Sequence, residues 1–223
     1  MAAERTPKIS LKEQAYHYIK ERILRCEYEP GTFLNEQQLC DAMHGISRTP
    51  VRDALGRLDQ EGLVTILPKK GVMVAELRLS DINRIYEVRQ LLEPYALRNY
   101  HAFLKESELL EFRRHFCNDA RPVLGTPEVH ALDDRFHKMF IATIQNRYLV
   151  DTYANIQNQN RRVRMWTGDL AEHRVDETFI EHMAIVDACL VADWEKAAAA
   201  MSLHLENSRK LAFELLMENG KNL

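Results

Sequence analysis

The chain has 223 residues, 46% hydrophobic and 28% charged, with a formal net charge of −3. These proportions suit a globular protein long enough for two domains, and they exclude a disordered chain and a bulk polycation. The longest apolar runs fall far short of the ~20 residues of a membrane-spanning helix, and Met1–Arg5 lacks the apolar core of a secretory leader, so no membrane partner and a cytoplasmic location are expected. Cys26, Cys40, Cys117 and Cys189 are too scattered for a zinc ribbon or a CxxC motif and read as free thiols.

In chain order, the first informative element is a short helix over Glu36–Met43, capped by Asn35 and broken by His44-Gly45-Ile46, where Gly45 permits positive φ. A second helix follows in Ser47-Arg48-Thr49-Pro50-Val51-Arg52-Asp53-Ala54-Leu55, with Ser47 as its cap and Pro50 in its first turn, where a missing N–H costs nothing. Arg48 and Arg52 share one face, while Val51, Leu55 and Leu58 fall on the face that must be buried. Glu61-Gly62-Leu63-Val64 and Pro68-Lys69-Lys70-Gly71-Val72 then form a small β-hairpin with a basic tip. A helix with two arginines in its opening turns, followed by such a hairpin, is the pattern of a winged helix-turn-helix that reads one groove of DNA and grips the next. Short amphipathic helices with two exposed arginines also occur on plain solvated surfaces.

Residues 1–75 hold 11 Lys and Arg against 10 Asp and Glu, and residues 76–223 hold 19 against 23. DNA binding therefore needs a local patch (Arg48, Arg52, Arg57, Lys69, Lys70) and a second copy of it in a homodimer. After a linker at 76–79 the pattern becomes all-helical to 223. The expected helices are Ser80 to Phe103, Lys105 to Asp119, Pro127 to Gln145, Arg147 to Trp166, Asp176 to Ala192 and Asp193 to Gly220, with breaks at 121–127, 145–146 and 167–169. Pro94 interrupts the hydrogen bonding of the first of these and predicts a kink. The fold class is thus mainly α: a winged helix-turn-helix over 1–75 and a six-helix bundle over 80–223.

The bundle carries a second constellation. Asp133 and His137 stand i, i+4, so one ion could touch both; His182 and His204 lie on the last two helices. Each sits among apolar neighbours, such as Phe136 and Phe140 beside His137, and an unpaired imidazole in a bundle core is costly. His17, His44, His101, His115, His130 and His173 read as ordinary surface or core residues. Three imidazoles and one carboxylate suit one divalent transition ion per chain, Zn²⁺ or Ni²⁺ alike.

Residues 16–74 resemble the DNA-binding domain of the GntR family of bacterial transcription regulators, in the Glu29-Pro30-Gly31 turn, the Ser-Arg-Thr-Pro-Val-Arg run, Glu-Gly-Leu-Val and the wing glycine. The resemblance implies base contacts from Arg48 and Arg52, base or phosphate contacts from Gln38, Ser47 and Thr49, and a minor-groove approach by Lys69, Lys70 and Gly71 of a palindromic operator. Residues 80–215 resemble the ligand-binding (FCD) domain of the FadR subfamily, in its six-helix, VanR-like branch. Asp133-x-x-Phe136-His137, Glu181-His182-x-x-Ile185 and His204-Leu205 match that domain's metal pattern.

The same resemblance implies a small organic acid as effector, bound on the metal, with Arg89 facing the pocket and Arg161 and Arg164 as further candidates. Arg89 also stands i, i+4 from Glu93, so a salt bridge along its own helix is the alternative. The expected function is a DNA-binding regulator, in the repressor sense, controlled by that carboxylate through a change in the spacing of two winged helices. The alternatives are a regulator with a purely structural metal and a metal-dependent hydrolase-like enzyme using Glu181 as base. Glu181, one residue from His182, points some 100° away from it on the helix.

Overall fold

In the computed structural model, which describes residues 9–117, 127–167 and 175–218, the chain divides into two compact units between Leu77 and Arg78. The first unit opens with Ser10, whose side chain accepts the Glu13 amide at 3.3 Å and starts α1, Leu11–Leu24. Glu29-Pro30-Gly31-Thr32 forms a tight turn in which the Thr32 amide reaches Glu29 O at 3.1 Å, and Gly31 takes φ +79°. The turn delivers the chain to β1, Phe33–Leu34.

Asn35 caps α2, Glu36–Ala42, by accepting the amides of Gln37 and Gln38 at 2.9 and 3.2 Å. Gly45 makes the following turn at φ +76°. Ser47 takes the N-cap backbone conformation of α3, Arg48–Gln60, but its side chain makes no cap hydrogen bond. The hydroxyl expected to close that helix end therefore points elsewhere, and it is exposed. Val51, Leu55 and Leu58 bury against Ile19 and Ile23 of α1, as the periodicity required.

The wing is β2, Val64–Leu67, paired antiparallel with β3, Gly71–Val74, in the register Val64 to Val74 and Leu67 to Gly71. The sequence pattern implied a hairpin alone; β1 adds a third strand, giving the order β1-β3-β2. Two residues are too few for an alternation signal, which is why β1 is invisible to pattern reading. Lys69 sits at the tip with φ +63°, and Lys70 and Gly71 beside it are exposed.

The second unit is helical throughout its described residues: α4, Leu79–Tyr100, with a 3₁₀ turn at His101–Phe103; α5, Glu106–Phe116; α6, Pro127–Ala142; α7, Arg147–Thr167; α8, Val175–Leu190; and α9, Trp194–Glu218. α4 runs on through a buried Pro94, and α9 begins where Asp193 accepts the Lys196 amide at 3.1 Å. The expected breaks at 121–126 and 168–169, and the end of the last helix at Gly220, lie outside the described residues. The core includes Phe112, Phe116, Phe136, Phe140 and Phe179, with Phe116 and Phe136 edge-on at 5.1 Å between ring centres.

One polar network ties α1 to the end of α3. Glu61 accepts from the Tyr16 hydroxyl at 2.6 Å and from Lys20 Nζ at 2.7 Å. Burial would raise its carboxyl, but the hydrogen bonds from Lys20 and Tyr16 outweigh that and hold it below its usual range. A group depressed in this way contributes stability above its unfolded value, and the contribution is lost as pH falls through the folded value. Glu61→Gln is therefore expected to lower stability by about 1 kcal/mol at neutral pH. In equilibrium denaturation followed by circular dichroism, the gap between the two proteins should close progressively below about pH 4.5.

Candidate metal centre and nucleic-acid interface

Asp133 and His137 lie one turn apart on α6, His182 on α8 and His204 on α9, and the structure brings the four together with their candidate ligand atoms within 4.8 Å of one another. His204 Nε2 stands 3.2 Å from His137 Nε2 and 3.3 Å from His182 Nε2. Asp133 Oδ1 is 3.6 Å from both His137 Nε2 and His182 Nε2. The three imidazoles are buried, and Phe136 and Phe116 wall the His182 ring at 4.4 and 4.9 Å between centroids.

The outer side of the cluster carries residues that sequence reading assigned elsewhere. His137 donates Nδ1–H to Glu93 Oε2 at 2.6 Å, and His204 donates Nδ1–H to Glu181 Oε2 at 2.8 Å, while Asn207 Nδ2 holds the other Glu181 oxygen at 2.7 Å. A neutral histidine whose Nδ1–H is taken by a carboxylate presents its Nε2 lone pair, the form that ligates a metal. Turned inward 3.2 Å apart, the two Nε2 atoms could both reach one cation. The donor set therefore fits an ion by its own chemistry.

Charge points the same way. Glu93 pairs with Arg89, and Asp133 and Asp134 pair with Arg164, while Glu181 holds His204. Burial alone would lower His137, but Glu93 outweighs it and raises the imidazole above its ordinary value, so the cluster favours positive charge at this position. Burial, and then the neighbouring His204, push His182 well below its ordinary value, and burial lowers His204 despite Glu181; both stay neutral and ligand-competent. Burial alone would raise Asp133, yet Arg164 and His137 keep its carboxyl well below the usual range.

Both arginines expected at an effector pocket are engaged inside the cluster. Arg89, on α4, gives Nε–H to Glu93 Oε1 at 2.7 Å, which is the salt bridge foreseen as the alternative. Arg164, on α7, bridges Asp133 and Asp134, and its Nε is buried without a hydrogen-bond partner. Glu93 also accepts the Tyr153 hydroxyl at 2.8 Å. Burial opposes its ionisation, but Arg89 and His137 prevail and bring its carboxyl down to about 2.

Signals for the two outer carboxylates were available. Glu93 is a charge inside the apolar stripe of Leu92, Ala96 and Leu97. Glu181, rejected as a partner of His182 because it points away on α8, points instead at the histidine of α9.

On the first unit, Gln38, Ser47, Arg48, Thr49 and Arg52 are all exposed. Arg48 Nη2 rests on Gln37 Oε1 at 2.8 Å, and Arg52 Nε pairs with Glu36 Oε2 at 2.9 Å. Arg57, counted above in the basic patch, is committed otherwise: its guanidinium stacks on Tyr16 at 3.6 Å and pairs with Glu13 at 3.2 Å and Glu61 at 3.4 Å.

A winged helix-turn-helix followed by a helical domain with a polar, metal-competent centre defines a class of ligand-responsive DNA-binding regulators. Residues 11–74 match the bacterial regulatory proteins of the gntR family and residues 84–207 match the FCD domain, and the chain belongs to the GntR family with an FCD domain. It is a transcriptional regulator, as are its relatives, and not an enzyme. It is 26% identical over 216 residues to the HTH-type transcriptional repressor RspR of Escherichia coli (strain K12), covering 96% of this chain and 94% of that protein. Its fold is that of a GntR regulator from Rhodococcus sp. RHA1, at a TM-score of 0.75 and 20% identity over 92% of this chain and 99% of that chain. The Zn²⁺-bound FCD domain of the regulator TM0439 matches at a TM-score of 0.53 and 24% identity, over 64% and 98%.

Removing the Glu93 carboxylate would strand Arg89, the His137 Nδ1–H and the Tyr153 hydroxyl. Glu93→Ala should cost about 3–5 kcal/mol, as loss of one partner of a buried ion pair does. Tyr153→Phe should cost about 1 kcal/mol, and urea denaturation of the two variants measures both.

Proposed function

We propose that the chain is a homodimeric repressor whose operator affinity is set by a small organic acid at a metal centre. Residues 1–75 bind DNA, residues 76–79 link, and residues 80–223 dimerise and sense. The observation that carries the reading is the pair of carboxylate-backed imidazoles, His137 and His204, turning their Nε2 atoms to each other 3.2 Å apart beside Asp133 and His182. Asp133, His137, His182 and His204 would hold the ion, with Zn²⁺ favoured over Ni²⁺ by the Zn²⁺-bound FCD domain of TM0439. A divalent ion supplies positive charge and open coordination positions for a carboxylate.

The chain's own residues shape the selectivity. Arg89 and Arg164 add positive charge beside the site, so the ligand is an anion, and Arg89 orients it by pairing with its carboxylate. Both guanidiniums already have carboxylate partners, so an arriving acid competes with Glu93 or with Asp133 and Asp134. That pairing also favours the second reading, a purely structural metal.

The two readings part in one assay, in which operator binding is titrated with a panel of carboxylates with and without chelator. The proposal expects acids to change operator affinity only in the metal-loaded protein and Arg89→Ala to abolish that response; no response to any acid would leave the metal structural. Elemental analysis should find about one divalent ion per chain, and chelation should lower the melting temperature because the ligands span three helices.

At the DNA, Arg48 and Arg52 read guanine, Gln38, Ser47 and Thr49 contact bases or phosphates, and Lys69, Lys70 and Gly71 enter the minor groove. Arg52→Ala should weaken a palindromic operator by about 1–3 kcal/mol and relax sequence preference, whereas Lys70→Ala should weaken all DNA alike and reduce the salt slope. Arg52 must leave Glu36 to reach a base, so Glu36→Gln should tighten binding. Fluorescence anisotropy across a salt series measures all three, and light scattering should give twice the chain mass.

A further inference from the structure

Helix α7 turns a polar stripe into the bundle. Tyr153, Gln157, Asn160, Arg164 and Thr167 recur at intervals of four and three and so share one face, at the spacing with which α6 buries Val129, Leu132, Phe136 and Met139. All of them but Arg164, which pairs with α6, are buried, and among the buried residues described on α7 only Val163 is aliphatic. Part of the stripe serves the bundle itself. Tyr153 gives its hydroxyl to Glu93 at 2.8 Å, Thr167 gives its own to Val163 O at 3.0 Å, and Gln157 Nε2 donates to Asp134 O at 3.1 Å.

The rest is unmet. Because a carbonyl fixes the amide nitrogen of Gln157, its other end is the acceptor Oε1, and that atom is buried with no hydrogen-bond partner, as are Asn160 Oδ1 and Arg164 Nε. Buried polar atoms left in this state are costly, and two acceptors and one cationic donor on one stripe call for a molecule that supplies the converse. The three side chains converge. Arg164 Nη2 and Gln157 Nε2 both reach Asp134, and Asn160 stands on the turn between them, so one small molecule can touch the group. Asp133, the next residue, is a candidate metal ligand.

We propose that this stripe of α7 is a hydroxyl-reading subsite and that the effector is a hydroxy acid: its carboxylate, at the metal, also takes the Arg164 Nε–H, and its hydroxyl donates to Gln157 Oε1 or Asn160 Oδ1. The inference rests on the effector reading above and adds the class of acid. A keto acid brings only acceptors to the two amide oxygens, and an unsubstituted acid brings methylenes; each leaves both oxygens buried and unpaired.

Isothermal titration calorimetry of the Zn²⁺-loaded full chain tests this with matched acids: lactate against propionate, pyruvate and alanine, and gluconate against hexanoate. At least one of the two hydroxy acids should bind about tenfold or more tighter than its matched partners. A metal can itself chelate an α-hydroxyl, so the variants carry the assignment. Gln157→Leu or Asn160→Leu should cut that preference by about tenfold. Asn160→Leu also removes an unmet acceptor, so its melting temperature without ligand should equal or exceed the parent's, whereas an amide serving only the bundle would be missed.

A preference undiminished in both variants would assign the hydroxyl to the metal and overturn the inference, as would equal binding of the matched acids or tighter binding of alanine, with the effector reading left standing. Failure of every acid to bind would overturn both. Should the variants not fold, a crystal structure of the Zn²⁺-loaded parent with the tighter-binding hydroxy acid decides. A ligand hydroxyl within about 3 Å of Gln157 Oε1 or Asn160 Oδ1 supports the subsite, and water alone at both oxygens overturns it.

Discussion

Glu93 is a carboxylate with no exposed surface, and a buried ionised carboxylate is tolerated only where several donors converge on it. Its donors come from three helices: Arg89 on α4 itself, His137 on α6 and Tyr153 on α7. Satisfying one group therefore fixes the rotation and axial position of three helices at once, a demand that apolar packing imposes far more loosely. From His137 the constraint passes to His204 and His182, and Glu181 with Asn207 ties α8 to α9. The polar centre and the order of the bundle are one feature seen twice.

The same arrangement explains why the centre is chemically poised. A bundle core of this size could be filled by phenylalanines, as it is around Phe116 and Phe136, at no electrostatic cost. Instead the chain places carboxylates, guanidiniums and three imidazoles together. Contacts with carboxylates at Nδ1 turn the Nε2 atoms of His137 and His204 toward each other, with His182 Nε2 and Asp133 Oδ1 beside them. A site that is unfavourable in itself and complementary to a cation concentrates its free-energy gain in the binding event.

Legibility followed the range of each contact. Asp133 and His137 were readable because four residues on a helix make a neighbour pair by geometry alone. The meeting of His137 with His204 spans 67 positions, and no periodicity encodes it; the family resemblance supplied what spacing could not. The recognition helix was readable from the alternation of exposed arginines with buried Val51, Leu55 and Leu58, whereas the pairing of Arg57 with Glu13 and Tyr16 was not, because they lie more than forty positions away. Glu181 shows the subtler failure. Its direction on α8 was inferred correctly, but its usefulness was judged only toward its own helix, and the histidine it serves is on the next.

The two units hold their charges in opposite regimes. On the first, Arg48 and Arg52 rest on Gln37 and Glu36 at the surface, where a pair is worth about 0–1 kcal/mol and is screened by salt, so exchanging it for a phosphate or a base edge costs little. In the second, the pairs of Arg89 and Arg164 are enclosed, and each change of partner is expensive and tends to be all-or-none. A regulator needs both regimes. The surface charges must be reassigned rapidly among many DNA sites, while a sensing centre of the proposed kind would resist every anion except one able to replace a buried partner. Such a ligand can shift operator affinity only by the difference in its own affinity for the two states, with each tenfold preference corresponding to about 1.4 kcal/mol. On the proposed reading, discrimination by an enclosed, already paired guanidinium would make a preference of that size attainable for a small acid.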